Sequence, residues 1–304
     1  MTQMATSTAD TAGTVDAAAE LTETIRVAVP QGGLRQDLRA IAIVWKRELI
    51  RFRSDRLRAI TSLIQPVLFL FVLGTGLSSL AGRSMPGDVN FKTFIYPGVL
   101  AMSVLFTAIF SAASIVWDRE FGFLREMLVA PVSRAALVIG KSLGGATVAT
   151  LQGIVMLALA GLAGVPYSLS LMVTLVGELL LLSFTLTAFG VMMAARIKQM
   201  QAFMALTQML VMPLFFLSGA LYPLNGLPGW LTVLTRIDPL TYIVSPMRDA
   251  VFSHLNISPA VLHALAPGVT WWGWPVPIGL SLTIVAAMGL SLLGVAIAEF
   301  QRTE

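Results

Sequence analysis

Residues 117–134 read WDREFGFLREMLVAPVSR, a short run carrying both signs of charge between two long apolar segments. The flanking segments, 94–117 and 143–165, are each long enough to cross a bilayer: about 20 residues at ~1.5 Å rise cover ~30 Å of hydrocarbon. Working outward, four more stretches meet the same test: 59–80, 169–195, 202–221 and 274–298. Apolar residues make up 56% of the 304-residue chain and charged residues only 12%. A soluble domain of this size has no use for so much apolar surface. The sequence therefore predicts an all-α polytopic membrane protein with six transmembrane helices.

The remaining segments complete the plan. Residues 1–33 are Ala/Thr-rich without a sustained apolar run and read as a disordered tail. No apolar core follows a basic start, so they are not a secretory signal. In residues 34–58, Leu34, Leu38, Ile41, Trp45, Leu49 and Phe52 recur at helical steps, while Arg35, Arg39, Lys46 and Arg53 fill the remaining positions. That pattern predicts an amphipathic helix lying at the headgroup level, with an ordinary packed helix as the alternative. Residues 59–304 form the six-span domain. Spans three and four are joined by Pro166, Tyr167 and Ser168, a tight hairpin. Between spans five and six, short apolar helices are expected on the outer face. Asp238-Pro239 reads as a helix start, and Ser245-Pro246 as a possible second one.

Charge placement sets the orientation. Of 20 Lys and Arg residues, only Arg83, Lys92, Arg236 and Arg248 fall on one side of the six-span plan. The other side holds the rest, which predicts both termini in the cytoplasm.

Several chemistries are excluded or weakened. The chain has no cysteine, hence no disulfide, thiolate nucleophile or Cys-based metal site. His254 and His263, nine positions apart, lack the spacing of a helical metal pair. Gly140-Lys141-Ser142 imitates the end of a phosphate-binding loop, but Ala135 stands where the first glycine belongs, and 136–139 is apolar. The chain has no nucleotide site of its own. Glu178 lies near the middle of the fourth span, where an acid costs on the order of 3 kcal/mol unless it faces protein or water. It reads either as part of a substrate route or as a structural hydrogen-bonding group.

The charged run and its neighbours resemble a known family. Asp118-Arg119-Glu120-Phe121-Gly122-Phe123-Leu124, then Pro131-Val132-Ser133-Arg134, then Gly140-Lys141 match, in order, the cytoplasmic coupling region of ABC type-2 exporter permeases. Phe123 departs from the common Thr. A second run, from Met212 through Leu227-Pro-Gly-Trp and Asp238-Pro-Leu-Thr-Tyr to Arg248, is similar to the daunorubicin-resistance-like branch. The resemblance implies a non-catalytic permease in the bacterial cytoplasmic membrane, paired with a second permease copy and a cytoplasmic ABC ATPase. That subunit would use ATP and Mg, with no cofactor bound by this chain. Asp118, Arg119, Glu120, Gly122, Arg125 and Glu126 would couple to the ATPase. Glu178, Phe215, Phe216 and Tyr222 would line the path of hydrophobic drug-like or lipid-like cargo. Export of polysaccharide or lipid-linked glycan is the neighbouring reading. A proton-coupled carrier using Glu178 and an intramembrane enzyme are the more distant ones.

Overall fold

A computed structural model describes residues 33–78, 89–122, 132–224 and 226–302. The expectations for the tail at 1–32 and for Arg83, Phe123, Leu124, Arg125, Glu126 and Pro131 lie outside the described residues.

The chain enters through α1 (Leu34–Ser54). It turns at Asp55 into α2, which runs Arg56–Leu68, a π-helical turn Phe69–Leu73 and a last turn Gly74–Gly76. The amphipathic helix expected to continue to residue 58 thus breaks earlier. Pro66 inside α2 cannot donate to the turn before it, and the π turn follows close behind, a common irregularity where a helical ladder is interrupted. Next come α3 (Phe91–Ser111) and its continuation α4 (Ala113–Glu120), then α5 (Arg134–Leu157) and α6 (Leu169–Arg196). After α7 (Met200–Leu217) lie three short helices, α8 (Gly229–Ile237), α9 (Thr241–Ser253) and α10 (Pro259–Leu265). A two-stranded hairpin, β1 (Thr270–Trp271) and β2 (Trp274–Pro275), leads into α11 (Ile278–Arg302). Six of these helical stretches are long and apolar enough to span a membrane: Ala59–Gly76, Phe91–Glu120, Arg134–Leu157, Leu169–Arg196, Met200–Leu217 and Ile278–Arg302. The protein is an all-α polytopic membrane protein.

α3 is the core element, buried along most of its length and packed against α5, α6 and α9. α6 in turn packs against α5 and α11. By contrast, α2 and α7 bury little of themselves within the chain.

Several ends differ from the sequence reading, each for a local reason. α5 starts at Arg134 rather than residue 143, because Ser133 caps it: its Oγ accepts from the Ala136 amide at 3.1 Å. Gly140 and Lys141 consequently sit inside a helix. The turn between α5 and α6 is longer than three residues, since α5 ends at Leu157 and a 3-10 turn, Ala160–Ala163, follows. α11 begins at Ile278 because Trp274 and Pro275 belong to the hairpin. α9 starts at Thr241, not Pro239; Asp238 still accepts from the Leu240 amide at 3.0 Å, as a turn ahead of the helix. Pro246 opens no second helix and lies within α9.

Candidate functional site

The charged run after α3 turns inward. Its three leading charged residues, Asp118, Arg119 and Glu120, tie the end of α4 to other helices. Asp118, buried at 3% exposure, pairs through Oδ2 with Lys141 Nζ of α5 at 2.7 Å, and through Oδ1 with Arg47 of α1 at 3.2 Å. Lys141 also donates to Ser114 Oγ at 3.0 Å and forms an ion pair with Glu48 of α1 at 2.9 Å. Two cations and two carboxylates thus join α1, α4 and α5, with Lys141, Glu48 and Asp118 out of solvent.

Arg119 and Glu120 serve the two neighbouring helix ends. The Arg119 guanidinium donates to the carbonyls of Ala194 and Ile197 at 3.0 and 2.9 Å, at the C-terminus of α6. The Glu120 carboxylate accepts from the Met200 amide at 3.0 Å, at the N-terminus of α7. A cation at a helix C-terminus and an anion at an N-terminus each suit the helix dipole. Because α6 ends just before α7 begins, an adjacent Arg-Glu pair is the arrangement that meets both. Gly122 then leaves the helix at φ 82°, a left-handed conformation that glycine adopts without strain.

α1 is held on this cluster by shape. Its Ala40, Val44 and Glu48, spaced one turn apart, are buried, and Val44 and Glu48 face Gly140 and Gly144 of α5. A Cβ on Gly140 would lie 2.8 Å from that of Val44, and one on Gly144 would lie 2.7 Å from that of Glu48. The two glycines form the small-xxx-small seat that admits the helix. The predicted stripe is divided: Leu34, Leu38 and Trp45 are exposed, Ile41, Leu49 and Phe52 are half-buried, and Trp45 Nε1 donates to Thr147 Oγ1 of α5 at 3.0 Å. Arg35, Arg39, Lys46 and Arg53 are exposed as well. So α1 carries two apolar faces, a narrow one on protein and a broad one outside it.

Beside the cluster lies a cavity of about 580 Å3, bounded by α1, α2, α3, α4, α5 and α7. Phe106 and Phe110, stacked at 6.3 Å, and Trp117 form an aromatic wall; Glu48, Gln65 and Gln208 are among its polar lining. Glu48 and Ser114 belong both to the cavity and to the ion cluster.

Comparison with known proteins decides the family. The model of the ABC-2 type transporter family matches residues 39–252, which include α3 to α9. The chain belongs to the ABC-2 type transporter family. Relatives agree. The ycf38 protein of Cyanophora paradoxa is 29% identical over 71% of this permease and 75% of its own length. Nodulation protein J of Rhizobium leguminosarum bv. trifolii is 27% identical over 69% and 80%. The inner membrane transport permease YadH of Escherichia coli K12 is 27% identical over 73% and 86%. The permease is therefore the membrane component of an ABC transporter, and its family implies an ABC ATPase as partner.

The other residues singled out from sequence do not meet in one place. Glu178 of α6 is buried at 4% exposure, and its Oε2 has no protein hydrogen-bond partner among the described residues. Phe215 is buried near the end of α7, edge-on to Phe69 of α2 at 5.9 Å, while Phe216 beside it is exposed. Tyr222 lies beyond α7, and burial raises its hydroxyl pKa above the ordinary value. None of the four lines the cavity. The sequence reading missed Glu48, Arg47 and the Phe106–Phe110 wall, and quoted Lys141 in a motif without assigning it a partner. One signal was present: Glu48 shares the spacing of Ala40 and Val44, an acid on an otherwise small apolar face.

Across the bundle, a second polar knot holds the outer helices. Arg248 of α9, fully enclosed, donates to the Gly219 and Ala220 carbonyls at 2.7 and 3.1 Å, and its guanidinium lies 4.3 Å from the Phe94 ring centroid. Burial lowers its pKa to about 10, so it remains a cation at neutral pH. Asp238, outside the spans, is pushed up to about 8 by burial, against the smaller opposing effect of its bond from the Leu240 amide.

Proposed function

We propose that this permease exports hydrophobic drug-like or lipid-like molecules, as in the daunorubicin-resistance-like branch, driven by a cytoplasmic ABC ATPase that binds ATP and Mg. The single observation that carries the reading is continuity: Glu48 and Ser114 belong at once to the aromatic-walled cavity and to the ion cluster at the start of the charged segment. A cavity of about 580 Å3 falls within the ~300–1,000 Å3 that encloses one drug-sized ligand. The residues beyond Gly122 form the ATPase-facing segment. Displacement of that segment pulls on Asp118, Arg119 and Glu120, and through them on α5, α1, α6 and α7 together. Asp118, Arg119 and Glu120 thus transmit the motion, and the ATPase contact falls to later residues such as Arg125 and Glu126.

The end of the bundle bearing α1, Arg134, Arg196 and Arg302 is the cytoplasmic one by its excess of basic residues. YadH carries "inner membrane" in its name, and the same address is proposed here. The thinly covered α2 and α7 offer a face for a second permease copy.

The test is co-purification with candidate ABC ATPases, followed by ATP-dependent uptake of a lipophilic dye into inverted vesicles. A stable complex that moves dye only with ATP supports the reading. Failure of every ATPase to associate overturns it, and a complex that moves a lipid-linked glycan but no dye replaces the cargo.

A further inference from the structure

Four of the six tryptophans, Trp230, Trp271, Trp272 and Trp274, stand at the end of the bundle opposite Asp118. The hairpin lies beyond residue 252, where the family match stops. Its two turn residues have φ 48° at Trp272 and 86° at Gly273, the two left-handed positions of a tight hairpin. Asn, Asp or Gly ordinarily fills the first of them, and a bulky aromatic there is strained. Yet Trp272 is 90% exposed. Apart from the Arg236 guanidinium, the described residues offer that ring little to pack against.

The root of the hairpin is fixed. Trp271 Nε1 donates to the Tyr242 hydroxyl at 3.0 Å, and that hydroxyl donates to the Arg236 carbonyl at 2.8 Å. Arg236 Nε donates to the Thr270 carbonyl at 2.8 Å, and its guanidinium lies 5.5 Å from the Trp272 ring centroid. α8, which carries Arg236, exposes Trp230, Val233, Leu234 and Ile237. Their steps of three and four make one apolar stripe. Pro275 lies just before α11, so the hairpin is at the rim of a spanning helix.

We propose that the hairpin tip and the α8 stripe form a phospholipid-binding collar. Trp272 and Trp274 sit at the headgroup boundary, and Arg236 takes a lipid phosphate. Indole combines an apolar body with a polar N–H and suits that boundary. Guanidinium pairs with phosphate through parallel N–H donors. The strained turn is what holds the indole outward.

The experiment uses the full chain in nanodiscs of phosphatidylcholine and phosphatidylglycerol, comparing wild type with Trp272→Phe. The difference in emission isolates Trp272. Lipids brominated near the headgroup should quench that component, lipids brominated near the chain terminus should quench it less, and aqueous acrylamide should barely reach it. Quenching by acrylamide alone would place the ring in water, and quenching by neither would place it against protein or a second copy; either result overturns the collar. Trp272→Gly separates folding from lipid contact, since glycine relieves the left-handed turn. Its melting temperature in detergent should match or exceed wild type, and a fall there would show that the ring packs on the chain and sink the proposal. Arg236→Gln should lose retention of phosphatidylglycerol through purification. Unchanged retention would remove the phosphate contact.

Discussion

Lys141 decides the chemistry of the ion cluster around Asp118. One ammonium group, 8% exposed, lies within 3.0 Å of Asp118, Glu48 and Ser114. Removing one member of a buried ionic group strands the others and costs about 3–5 kcal/mol. Lys141→Met is therefore expected to lower the melting temperature of the detergent-solubilised permease sharply, while Lys198→Met leaves it unchanged; equal melting of the two would show the cluster to be energetically idle. Asp238 titrates on the other side of the bundle. Its folded pKa, about 8, exceeds the ordinary value of 3.8, so its contribution to stability is complete below that value and is lost as the pH rises toward 8. Asp238→Asn keeps the oxygen that accepts from Leu240 and removes the titration. The slope of melting temperature against pH across this window should flatten in that variant.

Among the elements, α1 depends most on a single pairing. Its seat on α5 exists because Gly140 and Gly144 carry no side chain. Gly144→Leu would drive a side chain into Glu48, and overpacking of this kind costs about 1–3 kcal/mol. The expected result is a detached α1, read as faster proteolysis near Arg51 and Arg53 and as loss of the close approach between spin labels on α1 and α5. An unchanged label distance would mean that α1 is held from elsewhere. The amphipathic pattern of α1 was visible in its sequence, but not which side meets protein. Its larger apolar residues gave the visible periodicity, whereas the fully buried side consists of Ala40, Val44 and a charged Glu48. Small residues and a lone acid give no strong periodic signal; only the facing glycines make that surface a contact.

For the whole molecule, the ends of α4, α6 and α7 and Lys141 within α5 meet through one tripeptide and its partners. Under the proposed coupling, a movement of the charged segment is passed to all of these helices at once. The cavity beside the tripeptide has Phe110 in its wall. Phe110→Ala removes one aromatic contact worth about 0.5–1.5 kcal/mol, enough to raise KM for an aromatic cargo roughly 2- to 10-fold. ATPase association should be unaffected, and a loss of association instead would show that the wall is structural.

Length and apolarity fixed the class, since about 20 apolar residues have few stable solutions other than a spanning helix. The order of motifs from Asp118 to Arg248 carried the family resemblance. The Ser133 cap and the left-handed turn at Gly122 depend only on neighbours in sequence, so local chemistry accounts for both. The inward roles of Asp118, Arg119 and Glu120 were not legible. Read alone, three consecutive charges describe a solvated surface. Their partners, at Lys141, Ala194 and Met200, come from helices separated by tens of residues and meet only when the bundle closes. Tertiary structure alone decided which groups these charges face, because ion pairing and helix-end capping depend on distance in space, which the sequence does not contain.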